Sequence, residues 1–203
     1  MITSAKDFQG RAKRLDAVDF GRMGKMIGVG EDKIRAVVDV ECAGSGFDAK
    51  GRPKMLFEPH KFWQELGDVK RRVAQGKGLA YRRWTAAPYP VDSYPRLLMA
   101  MEIDRAGALR SASWGLGQIL GSNHKAAGFA SVDDMIAAFV EDEETHLQAM
   151  INFILAESLD DDLRRGDWSG FARGYNGAGY ATHGYHTKLA VAYAKWQARP
   201  DAA

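Results

Sequence analysis

The sequence predicts a mainly helical α+β domain that carries one small β-hairpin. Apolar residues return at helical spacing in several separate segments, and only residues 47–58 read as strand, turn and strand. Size is the third observation. With 203 residues, 46% of them hydrophobic, and a single Cys, the chain can bury a core without disulfides, and no Cys/His spacing suggests a structural zinc. No stretch of about 18 apolar residues occurs, so no membrane-spanning helix is expected. The first 15 residues lack the apolar run and small-residue cleavage site of a secretory leader.

The elements follow in order. Residues 1–14 are read as an N-terminal extension and 15–203 as one domain. A helix is expected over residues 16–26, with Ala17, Val18, Phe20 and Met23 apolar, ending at the Gly28-Val29-Gly30 break. A second helix carries Ile34, Val37, Val38 and Cys42 at helical spacing, with Glu31 and Asp32 favouring its first turn. Gly44-Ser45-Gly46 must end it near Ala43, which leaves Glu41 in its last turn. The hairpin turns through Asp48-Ala49-Lys50-Gly51 and returns over residues 52–57, with Pro53 marking an edge strand.

Residues 76–95, rich in Tyr and Trp, read as an irregular connection, and residues 96–108 as a helix. Residues 111–121 (SASWGLGQILG) read as a loop leading into a short helix. The longest helix is expected to open at Ser131 and run unbroken through Ile154, and two more begin near Trp168 and at Tyr185.

The net charge of +2 conceals an asymmetry: residues 1–130 hold 22 Lys and Arg against 14 Asp and Glu, whereas residues 131–203 hold 6 against 12. The surplus includes Lys70, Arg71, Arg72, Lys77, Arg82 and Arg83. Such a cluster suits nucleic acid, an anionic membrane or an anionic envelope polymer, or is simply a solvated face. No nucleic-acid-binding motif accompanies it, so nucleic acid is not an expected partner.

Three segments stand out chemically: Val40-Glu41-Cys42, residues 113–121 (SWGLGQILG), and Arg173-Gly174-Tyr175-Asn176-Gly177. In combination and order they resemble the lysozyme-like superfamily, in particular goose-type lysozymes and lytic transglycosylases. The closer likeness is to the N-acetylmuramidase domain of bacteriophage endolysins, carried by residues 37–47, 51–60, 112–121 and 167–180. The resemblance implies a lysozyme-like helical domain with a substrate cleft, which cleaves the β-1,4 bond between N-acetylmuramic acid and N-acetylglucosamine in peptidoglycan without a cofactor or metal.

The residues support that reading on physical grounds. Glycoside hydrolysis needs a carboxylic acid that keeps its proton near neutral pH. Apolar flanks at Val37, Val38 and Val40, together with the negative end of the helix dipole, raise a carboxyl pKa, so Glu41 is the general-acid candidate. Relatives often carry an acidic residue just before Gly51-Arg52-Pro53, where this chain has Lys50. Asp48 is therefore the candidate second carboxylate, with Glu58 the runner-up and plain turn formation its competing role. A lytic transglycosylase needs no second carboxylate.

By resemblance, Gln118, Tyr175 and Asn176 line the cleft: a Gln amide can bond sugar groups and a Tyr hydroxyl can orient the catalytic Glu. Trp114 is a candidate to stack on a sugar ring or to sit in the core. His60 is placed with Glu58 among the substrate-binding candidates, with a hydrogen bond that holds the hairpin as its expected contribution. Cys42 is expected on the buried side of its helix as a small hydrophobe, against a Cys42–His60 nucleophilic pair. Gly28-Val29-Gly30 lacks the context of a dinucleotide loop, and Glu143-x-x-His146 is read as part of a solvated acidic face. The remaining expectations are a monomer, an anionic envelope surface as a second partner for the basic half, a thin wall as target, and storage in the host cytoplasm until release.

Overall fold

The computed structural model describes residues 1–42, 44–84 and 89–199, without the side chain of Cys42. The readings made of Cys42's side chain, of Ala43 and of part of the 76–95 connection lie outside the described residues. The helices are α1 (Ala17–Met26), α2 (Glu31–Cys42), α3 (Pro59–Glu65), α4 (Asp68–Gly76), α5 (Tyr94–Arg110), α6 (Val132–Phe139), α7 (Glu143–Ala156), α8 (Asp160–Arg165), α9 (Trp168–Asn176) and α10 (Tyr185–Gln197). Strands β1 (Met55–Phe57), β2 (Ala112–Trp114) and β3 (Ile119–Leu120) form one antiparallel sheet in the order β1-β2-β3. None of the described helices is long and apolar enough to cross a membrane.

The mainly helical class holds, but the sheet is larger than one hairpin. The Asp48–Gly51 turn closes as expected, with the Asp48 amide donating to Arg52 O at 2.8 Å and a bridge joining Phe47 to Pro53. The returning chain then pairs outward, placing Met55 opposite Trp114 and Phe57 opposite Ala112. Residues 112–120 are thus strand, turn and strand rather than loop and helix. Gly115, at φ +67°, makes the reversal in a left-handed conformation that a side chain disfavours.

The long helix expected from Ser131 is two helices. Asp142 caps the second by accepting the Glu144 amide at 2.9 Å, and Lys13 pairs with the break by bonding Glu141 O at 3.0 Å. An Asp followed by two Glu was a legible start signal inside the apolar stripe. Helix α5 is likewise kinked at Asp104, whose carboxylate accepts the Gly107 amide at 2.8 Å. The first fourteen residues pack into the same core, where Phe8 is fully buried and stacks on Trp114 with ring centroids 5.7 Å apart.

The core has two clusters. One gathers Phe8, Phe57, Phe62, Leu97, Trp114 and Phe139 around the sheet and α5. The other gathers Ile34, Val37, Leu147, Met150, Phe171 and Leu189 where α2, α7, α9 and α10 meet. Tyr175 touches both clusters.

Candidate active site

Helix α2 ends on Glu41 and Cys42, and the Glu41 side chain lines a cleft of about 640 Å³. The facing wall is the 48–52 turn, Lys54 to Leu56, residues 90–94 and Gln118. Burial pushes the Glu41 carboxyl up from its ordinary 4.5 to about 7, against the opposing pull of the Asn176 amide and the Lys188 ammonium. Asn176 Nδ2 donates to Glu41 Oε1 at 3.3 Å from the last turn of α9. Helix α10 supplies Lys188 and also Tyr185, whose phenol is raised by burial and by the nearby Glu41 charge. This places an acid that is largely protonated below pH 7 in an open groove, as proton donation to a leaving oxygen requires.

Asp48 reaches the same cleft, but its oxygens are occupied. Oδ1 accepts the Lys50 and Arg52 amides at 2.8 and 2.9 Å, and Oδ2 pairs with the Arg52 guanidinium at 2.7 Å. Arg52 also pairs with Asp92 at 3.1 Å and lies 3.9 Å over the buried Tyr94 ring. Lys50 joins them through Asp92 at 3.3 Å. Burial alone would raise the Asp92 carboxyl, but the Tyr94 amide and Arg52 outweigh it and hold it below its usual range. The sequence reading missed Arg52, Asp92, Tyr94, Tyr185 and Lys188. Only the Asp48–Arg52 pair, opposite charges across a four-residue turn, carried a local signal.

The other predicted residues separate into support and core. Gln118 lines the cleft in a left-handed conformation, φ +46°, and its amide donates to Gly115 O at 2.9 Å. Tyr175 stands behind this turn, where its hydroxyl donates to Gly117 O at 2.8 Å and its ring stacks on Phe171. Trp114 is not a sugar-stacking residue: it is fully buried, with its indole N–H donating to Leu109 O at 3.1 Å. All three residues of β2 are buried, so a side chain on either face of this strand is covered.

Glu58 and His60 likewise fall outside the cleft lining. Glu58 accepts the Ser113 hydroxyl at 2.8 Å, and His60 Nε2 lies 3.6 Å from its other oxygen, so the pair ties the start of α3 to β2. Burial, against the pull of Glu58, lowers the His60 pKa.

The Glu143–His146 motif corrects the sequence reading most sharply, because both residues are buried. His146 Nε2 meets Phe139 O at 2.7 Å while Nδ1 accepts the Leu116 amide at 3.2 Å, which defines a neutral ring. Burial lowers its pKa to about 4. Glu143 accepts the Gly46 amide at 2.7 Å, the Leu15 amide at 3.1 Å and Arg14 at 2.8 Å. A Cβ at Gly46 or Gly115 would clash with His146 Nδ1, so both loops close against the imidazole. One turn of α7 thus holds the exit from the Glu41 helix and the turn that presents Gln118. Among the described residues, no group of three or more His, Cys, Asp or Glu side chains is placed to hold a metal ion.

A mainly helical domain with a small antiparallel sheet, and a helix-borne acid held protonated in its groove, define the lysozyme-like class of glycoside hydrolases. The chain belongs to the N-acetylmuramidase family, whose model matches residues 31–197. Its fold is similar to the crystal structure of the Burkholderia AP3 phage endolysin, with a TM-score of 0.81 and 32% identity over 92% of this chain and 73% of that one. A search of curated proteins finds no match. The chain is a peptidoglycan hydrolase.

Proposed function

We propose that this protein is an endolysin that cleaves the β-1,4 bond between N-acetylmuramic acid and N-acetylglucosamine, with Glu41 as general acid. The observation that carries the reading is the Glu41 carboxyl, pushed to about 7 within the cleft and bonded to Asn176. Glu41 gives its proton to the glycosidic oxygen as the bond breaks, and the sugar left behind develops oxocarbenium character. Asp48, which lines the same cleft, is the candidate to stabilise that charge. Water then adds to the anomeric carbon and completes the hydrolysis. Host-cell lysis, with storage in the cytoplasm until a membrane pore opens, is the role that fits the likeness to a phage endolysin.

A second reading is favoured by one observation. Both Asp48 oxygens are engaged by Arg52 and the turn amides, which leaves little capacity to activate a water. A lytic transglycosylase would instead close the sugar's own hydroxyl onto the anomeric carbon, with Glu41 acting alone as acid and base.

Digestion of purified peptidoglycan in water labelled with heavy oxygen separates the two. Label at a reducing muramic acid end is the expected result, and an unlabelled anhydro end, lighter by one water, assigns transglycosylation. Glu41→Gln should reduce either activity by at least about 1,000-fold. An unimpaired Glu41→Gln variant overturns both readings.

A further inference from the structure

Helix α4 carries an apolar stripe that none of the described residues covers. Val69 and Val73, one turn apart on the same face, are 68% and 47% exposed, while Ala74 on the opposite side is fully buried against the core. Arg72 and Lys77 lie within a turn of those valines, and both are exposed. The stretch continues to Arg82, Arg83 and Trp84, and Trp84 is 54% exposed. Between residues 69 and 84 the chain has six Lys and Arg and no Asp or Glu. Lys70 and Arg71 are used locally, by Asp104 at 2.8 Å and Asp68 at 3.1 Å. Arg72, Lys77, Arg82 and Arg83 form no ion pair among the described residues.

We infer that α4 and the following segment are a docking surface for an anionic lipid bilayer. The cations account for attraction to any polyanion, but the exposed valines and Trp84 select among polyanions. A hydrated polymer leaves them in water, whereas a bilayer receives them at the boundary between headgroups and acyl chains. Long Arg and Lys stems covering apolar surface beneath a charged head suit the same depth. The surface contains no residue of the cleft lining, so membrane docking and glycan cleavage are separable properties.

The test is co-sedimentation of the whole protein with vesicles of phosphatidylcholine alone or with 30% phosphatidylglycerol, alongside hydrolysis of purified peptidoglycan. Wild-type protein should partition at least about tenfold more strongly onto the anionic vesicles. The double variant R72E/K77E should lose that excess, and V69S/V73S should weaken it several-fold while both cleave peptidoglycan normally. Equal binding to both vesicles, or none to either, overturns the proposal. So does a V69S/V73S variant that binds like wild type, because the surface would then serve a polyanion without a lipid phase. Failure of the vesicle arm leaves the hydrolysis result standing, so the two readings fail separately.

Discussion

The Asn176 amide donates to the Glu41 carboxyl at 3.3 Å, joining the ends of α9 and α2 across 135 positions of sequence. That bond opposes the dominant effect of burial, which holds the proton on Glu41 to about pH 7. The site is thereby a balance: desolvation keeps the acid protonated, while Asn176 and Lys188 limit how far its pKa rises.

The pH profile should report that balance. An acid that must be protonated gives kcat/KM an alkaline limb, here near pH 7. Asn176→Ala removes a group that lowers the Glu41 pKa, so the limb should move to higher pH. A downward shift in the measured profile would contradict the assignment of Glu41 as the titrating acid.

Stability should follow the same group with a defined sign. Unfolded, Glu41 releases its proton near 4.5, and folded it keeps the proton to about 7. Between those values the native state binds more protons, so folding weakens as pH rises and the cost is complete above 7. Glu41→Gln should therefore leave stability nearly unchanged at pH 4 and raise it by roughly 2–4 kcal/mol at pH 8. Denaturant melts at both pH values check this, and a gain at pH 4 alone would refute it.

The clamp on α7 should matter to both folding and activity. Glu143→Gln removes the ion pair to Arg14 and weakens the acceptance of the Gly46 amide, and should cost roughly 1–3 kcal/mol. His146→Ala leaves a cavity and two unpaired backbone groups, and should cost about 2–5 kcal/mol. Chemical denaturation measures the loss, and kcat of the folded fraction should drop because both loops at the cleft are released.

Trp114 gives the opposite pattern. Trp114→Ala should destabilise by about 3–5 kcal/mol and Trp114→Phe by less, with KM for peptidoglycan unchanged in the folded Phe variant. A raised KM in that variant would restore a sugar contact for this residue.

Much of this architecture is legible in the sequence, where local chemistry decides it. The glycines after Ala43 end the Glu41 helix, the Asp48 turn closes through its own side chain, and Asp16 caps α1. The apolar positions Val37 and Val38 announced the burial that raises Glu41, whereas Asn176, which bonds it, was read only as a cleft residue and Tyr175 as the residue that orients the acid. Tertiary packing alone decided the rest. Residues 112–120 became strands because β1 offered them an edge, and Trp114 went inward because β2 is covered on both faces. Glu143 and His146 lie on the same face of α7 as Leu147, Met150 and Ile154, and the approach of the Gly46 and Gly115 loops supplies the partners that let them be buried there. Periodicity reports what a helix can bury, whereas which of its polar side chains receive partners depends on backbone brought in from distant parts of the chain. For this protein the sequence by itself determined the helix that ends at Glu41 and the apolar positions that flank it. The tertiary structure decided which side chains surround that carboxyl and raise or restrain its pKa, because burial and long-range hydrogen bonds exist only once the chain has folded.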